Sequence, residues 1–144
     1  MCSLKRKEKY MVKLLLLSHG NLCKEMVETA KLILGDIDCL DYITMPSGID
    51  LACYKADIKA KVDESEDGIL ILVDLFGGTP FMTTSLIIGE VKIKEKIEIV
   101  TGMNLPMILQ LATSLENETL LELKAIALES GKDGISDLKK VFDN

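Results

Sequence analysis

Two short, unbroken apolar runs most constrain what this chain can fold into. One is Leu14-Leu15-Leu16-Leu17, preceded by Val12; the other is Ile69-Leu70-Ile71-Leu72-Val73. Each is far too short to cross a bilayer as a helix, which takes about 20 apolar residues. Neither alternates apolar with polar residues, so a strand built from either must be covered on both faces. Strands of that kind belong to parallel sheets held between layers of helix.

The segments around the runs supply those helices. Residues 20–34 place Leu22, Met26, Ala30, Ile33 and Leu34 at helical spacing, and Gly35 is positioned to end the helix. Residues 39–44 read as a second, weaker strand closed by Pro46-Ser47-Gly48. Ser47 is the expected cap of a second helix with Ile49, Ala52, Cys53, Ala56 and Ala60 on one face. The acidic run 63–67 reads as a solvated loop, and residues 68–73 as the third strand. Thr79-Pro80 reads as an N-cap and a first-turn proline, opening a helix to about residue 88. A fourth strand over 96–100 follows, then a helix capped by Asn104 that carries Met107, Ile108, Leu111 and Ala112. A further helix over 119–129 ends near Gly131, and the tail, 132–142, reads equally as a short strand or a helix.

This alternation predicts an α/β domain: a doubly wound, mostly parallel sheet with helices on both faces. A flavodoxin-like strand order, 2-1-3-4, is expected, with strands 1 and 3 flanking the reversal point. Such sheets place ligands there, at the carboxyl ends of the strands. A chain of 144 residues, 48% hydrophobic, suits one domain with a substantial core. The domain is expected over 12–144, behind a basic extension over 1–11 that lacks the apolar core of a secretory signal. The net charge of −6 argues against a general nucleic-acid binder, which needs a basic surface. Cys2, Cys23, Cys39 and Cys53 form no CxxC pair, and one histidine cannot complete a familiar zinc set. No metal is expected, and the cysteines read as incidental thiols in a reducing cytosol.

The single histidine, His19, stands at the end of the first apolar run, and Asp74 at the end of the third strand. In the expected order both fall at one crevice. An imidazole can act as a nucleophile if one ring nitrogen is unprotonated and the other donates its proton to a fixed acceptor. Asp74 is the candidate acceptor: it would hold Nδ1–H and leave Nε2 free for in-line attack. The pair therefore suggests a phosphoryl group carried on His19. Its oxygens need donors, and Gly77 and Gly78 leave the backbone open to approach. The helix beginning at Thr79 offers free N–H groups and a positive dipole end. Thr79 can add its hydroxyl. Read singly, Asp74 could cap a loop, Gly77-Gly78-Thr79-Pro80 could be only a turn and a cap, and Met45 and Phe76 could be turn and packing residues.

Taken together, the segments Leu17-Ser18-His19-Gly20, Ile71 to Phe81 with its Asp-Leu-Phe-Gly-Gly-Thr-Pro run, Val100 to Met107, and Glu129 to Gly134 resemble one family. It is the IIA component of the mannose/fructose/sorbose branch of the bacterial sugar phosphotransferase system. The resemblance implies a cytoplasmic phosphotransferase that works as a homodimer, with a short antiparallel strand near 134–138 exchanged between subunits. It aligns His19 with the phosphorylated histidine, Asp74 with its supporting aspartate, and Thr79 with a small hydroxyl residue near the phosphoryl group. It further implies that His19 receives phosphate from the phosphohistidine of HPr and passes it to the IIB component, which serves sugar delivered by membrane IIC and IID components. No cofactor is implied. Met45 and Phe76 are expected on the rim where partners dock. No IIB domain follows, so a stand-alone subunit is expected. The alternatives are the phosphocarrier domain of a dihydroxyacetone kinase phosphotransfer subunit, or a regulatory binding module on the same fold.

Overall fold

A computed structural model describes residues 10–92 and 94–143; most of the basic extension lies outside the described residues. Four strands form one parallel sheet: β1 (Lys13–His19), β2 (Leu40–Met45), β3 (Ile69–Val73) and β4 (Ile97–Thr101). Their order is β2-β1-β3-β4, as expected. The helices are α1 (Leu22–Leu34), α2 (Leu51–Asp63), α3 (Thr79–Glu90), α4 (Leu105–Ser114), α5 (Leu120–Asp133) and α6 (Leu138–Phe142). None is long and apolar enough to cross a membrane.

The sheet explains the unbroken apolar runs. Along β1 and β3, Leu14, Leu16, Leu70 and Leu72 face one way and meet Cys23, Val27 and Ala30 of α1 and Met107, Ile108, Leu111, Leu123 and Ala127 of α4 and α5. Leu15, Leu17, Ile69, Ile71 and Val73 face the other way and meet Tyr54 and Ile58 of α2 and Ile87 of α3. Both sides of each central strand are core, and each fully buried aliphatic side chain contributes about 1.5–3 kcal/mol.

Several helix details depart from the periodic reading. On α1 the buried stripe is Cys23, Val27 and Ala30, whereas Leu22, Ile33 and Leu34 are exposed. Apolar residues occur on several sides of this helix, so spacing alone does not single out the stripe. On α2 the core takes Tyr54 and Ile58, one position round from Cys53, which is exposed with Ala52, Ala56 and Ala60. Tyrosine and isoleucine remove more area from water than alanine does, so they set the rotation.

The cap of α2 is Asp50, whose carboxylate accepts from the N–H groups of Ala52 and Cys53 at 2.8 and 3.1 Å; Ser47 lies in the preceding turn. Asn104 caps α4 as expected, accepting from Met107 N–H at 3.0 Å, and also donates to the Gly131 carbonyl at 2.8 Å. Thr119 and Glu122 form a capping box at the start of α5.

The short strand expected near 134–138 is not formed within the single chain. There α5 continues to Asp133, and Asp137 caps the short helix α6 by accepting from Lys139 N–H at 3.0 Å. A strand exists only with a partner edge, and within this chain the segment joins no ladder.

Candidate functional site

The parallel register brings the two candidate residues together. β1 pairs with β3 through Leu17 opposite Val73, so the residues that follow, Ser18-His19 and Asp74, lie side by side at the sheet rim. Asp74 N–H extends the ladder by donating to the Leu17 carbonyl at 3.2 Å. Its carboxylate then turns back onto β1. Oδ2 accepts from the backbone N–H of His19 at 3.0 Å and lies 2.8 Å from Nδ1 of the same residue. One oxygen therefore holds both the main chain and the ring of His19.

A carboxylate can only accept, so Nδ1 must carry the proton in this contact. In the neutral ring, that tautomer leaves Nε2 as the unprotonated nitrogen. The His19 side chain is 44% exposed and that of Asp74 only 14%. The aspartate is thus an inner support and the ring an outer, reachable group.

The main chain on either side of His19 is also fixed. Buried Ser18 accepts from Cys23 N–H at 2.8 Å, tying the end of β1 to the first turn of α1. Gly20, at φ +57°, donates to the Met45 carbonyl at 2.9 Å and joins the turn to the end of β2. Ser18 and Gly20 both lie in the Leu17-Ser18-His19-Gly20 segment, but the supporting role of Ser18 is not legible there, because a cap five residues upstream of its target follows no common spacing.

The glycine turn sits against the ring. Gly77 has φ +78°, which favours glycine. Gly78 is extended and is itself the N-cap of α3, so Thr79 is the first helical residue and not the cap. With Gly78 as the cap, the Thr79 hydroxyl has no capping duty. Thr79, His19, Met45, Ile49 and Leu51 border an open hollow of about 540 Å³. The free N–H groups of the first turn of α3, at Thr79 and Phe81, and its positive dipole end suit an anion there.

The rim is apolar. Phe76 is 74% exposed and packs against Phe81 with ring centroids 4.7 Å apart. Leu51, Leu75 and Met82 are exposed as well, whereas Met45 is half-buried and lines the hollow. Beneath the rim, burial pushes the Cys23 thiol up, so it is a poor nucleophile, and its Sγ contacts the Ile43 carbonyl at 3.4 Å. Among the described residues, no group of three or more His, Cys, Asp or Glu side chains is arranged to hold a metal ion.

Comparison with known proteins gives a consistent set of relatives. Residues 13–128 match the family model described as the PTS system fructose IIA component. The chain is 32% identical over 127 residues to the mannose-specific EIIAB component of Escherichia coli K12, an alignment that covers 85% of this chain but only 38% of that protein's length. It is 28% identical over 139 residues to the fructose-specific EIIA component of Bacillus subtilis, covering 91% of this chain and 92% of that one. Its backbone is similar to the crystal structure of phosphotransferase system component EIIA from Streptococcus agalactiae, with a TM-score of 0.84, 28% identity, and coverage of 90% and 99% of the two chains.

Proposed function

We propose a role that starts from one premise: the chain belongs to the mannose-type EIIA family of the sugar phosphotransferase system. Within that family it acts as a phosphocarrier in the cytoplasm, with residues 12–144 as the carrier unit and a homodimer as the working form. His19 is the acceptor. Its free Nε2 attacks the phosphorus of the phosphohistidine on HPr. A new N–P bond forms at His19 as the bond to the HPr imidazole breaks, and that imidazole leaves with the electron pair. The reverse chemistry then delivers the phosphoryl group to the IIB component.

Asp74 serves both halves of the cycle. By accepting the Nδ1 proton it keeps Nε2 as the nucleophile, and its negative charge offsets the positive charge that the ring gains on phosphorylation. Gly77 and Gly78 leave the backbone open to the phosphoryl group, and the Thr79 hydroxyl and the start of α3 receive its oxygens. Phosphoryl transfer asks mainly for positioning and charge stabilisation, which such groups supply. Partners dock over the apolar rim at Met45 and Phe76.

The observation that carries this reading is the double grip of Asp74 Oδ2 on the N–H and Nδ1 of an exposed histidine. The family match favours the sugar-transport branch over the dihydroxyacetone kinase subunit. The test is incubation with phosphorylated HPr. The chain should gain an acid-labile phosphate, and His19→Ala should gain none while keeping its fold. Phosphate accepted by His19→Ala would move the site elsewhere, and a chain that takes none at all would leave only a binding module.

A further inference from the structure

Two buried side-chain oxygens have no hydrogen-bond partner among the described residues: the hydroxyl of Tyr54 and Oδ1 of Asp74. They belong to the same end of the sheet. Tyr54 lies in the first turn of α2, just beyond the loop 46–50 that borders the His19 hollow. Its side chain is fully buried in the cluster that contains Leu17 and Val73, the last paired residues before Ser18 and Asp74. Burial raises the pKa of the Tyr54 hydroxyl, and the charges of Cys23 and Asp74 add to the effect. The hydroxyl is therefore protonated and able to donate, and Asp74 lies within electrostatic reach of it.

A buried carboxylate oxygen without a donor is costly, as is a buried hydroxyl without an acceptor. These two orphans are complementary, one a donor and the other only an acceptor. Oδ2 is already committed twice to His19, so Oδ1 is the oxygen with capacity to spare. We propose that Tyr54 is a positioning residue for phosphoryl transfer, its hydroxyl donating through one internal water to Asp74 Oδ1 and fixing the carboxylate plane against His19. The proposal rests on His19 as the phosphoryl acceptor. Tyr54 touches neither the ring nor the phosphoryl group. It acts through Asp74, keeping Oδ2 aimed at Nδ1 while the ring changes charge.

The test is Tyr54→Phe, which removes one oxygen and keeps the ring. The rate of phosphate acceptance at saturating phospho-HPr should fall about tenfold, as is usual when a supporting partner is lost, with the half-saturating concentration unchanged. Because the chain has one histidine, ¹⁵N-histidine NMR reports His19 alone, and its Nδ1–H tautomer should lose population in the variant. Combined with Asp74→Asn, Tyr54→Phe should have no further effect on rate. An unchanged rate and tautomer, or an equal loss in the Asp74→Asn background, would overturn the proposal. If Tyr54→Phe does not fold, the unsubstituted protein still decides. Its Tyr54 hydroxyl proton should exchange slowly and shift on Asp74→Asn, and indifference to that change would overturn the proposal. A chain that accepts no phosphate, yet shows this coupling, would instead remove the phosphocarrier reading and leave the Tyr54–Asp74 link standing.

Discussion

A Cβ placed on Gly78 would stand 2.6 Å from Cε1 of the His19 ring and 3.2 Å from Nε2. Gly78 has φ −73° and ψ 174°, a backbone conformation open to any residue. The requirement for glycine therefore comes from the ring and not from the turn. Gly78→Ala should push the imidazole off the Asp74 carboxylate while leaving the fold intact. A displacement of about 1 Å at a reacting group costs on the order of 100-fold in rate. The expected outcome is a loss of phosphate acceptance of that order, with a melting temperature close to that of the parent. A variant that transfers at the parental rate would show that the ring has slack.

Asp74→Asn should separate stability from activity. The amide oxygen can still accept from His19, but it brings no charge to steady a phosphorylated ring. Transfer should fall by about 10- to 100-fold, the usual cost of removing such a partner. Stability in urea should be equal or higher, because a largely buried charge has been neutralised. A marked loss of stability would assign Asp74 a structural duty in place of the electrostatic one.

Thr79 distinguishes capping from phosphoryl contact. Replacing a capping threonine by alanine costs about 1 kcal/mol. Thr79 is not the cap of α3, so Thr79→Ala should change unfolding free energy by less than about 0.5 kcal/mol, the usual range for a residue outside such features. The rate of phosphate acceptance should drop all the same. Denaturant midpoints and transfer rates on one preparation would test both halves. A cost near the capping value with normal transfer would reverse the assignment.

Tyr54 also sets an alkaline limit. Its folded-state pKa lies above the usual 10.0 because of burial, with the charges of Cys23 and Asp74 adding to it. The folded chain thus holds this proton more tightly than the unfolded chain. The associated stability is present in full below pH 10.0 and is lost as pH rises from there through the folded-state value. Tyr54→Phe should therefore flatten the decline of the urea midpoint above about pH 10. Parallel declines in the two proteins would mean that Tyr54 ionises no later when folded than when unfolded.

The sheet was legible because Leu14 to Leu17 and Ile69 to Val73 leave no polar face to turn outward. Crossover-length connections made the sheet parallel; the order 2-1-3-4 came from the flavodoxin-like pattern common to such sheets, and the meeting of His19 and Asp74 rested on that order. Helix rotation was less legible. Apolar residues surround α1, and on α2 the small residues that share one face, Ala52, Ala56 and Ala60, yield the core to Tyr54 and Ile58. Caps misled where two good candidates stood close together: Ser47 and Asp50 before α2, Gly78 and Thr79 before α3. The supports of the site were hidden for a different reason. Ser18 and Tyr54 act through tertiary placement: Ser18 lies in the Leu17-Ser18-His19-Gly20 segment but its bond to Cys23 follows no local spacing, and Tyr54 belongs to no motif. The one visible clue was a bulky aromatic on a helix otherwise rich in alanine and lysine.

Asp74 grips the main chain of His19 as well as its ring, and the residues concerned are far apart in sequence. A nascent polypeptide still searching for the pairing of its first and third strands offers no oriented imidazole to a donor. With His19 as the proposed acceptor, competence to take phosphate would arise only with correct topology, and the labelled fraction of a preparation would count its properly folded molecules.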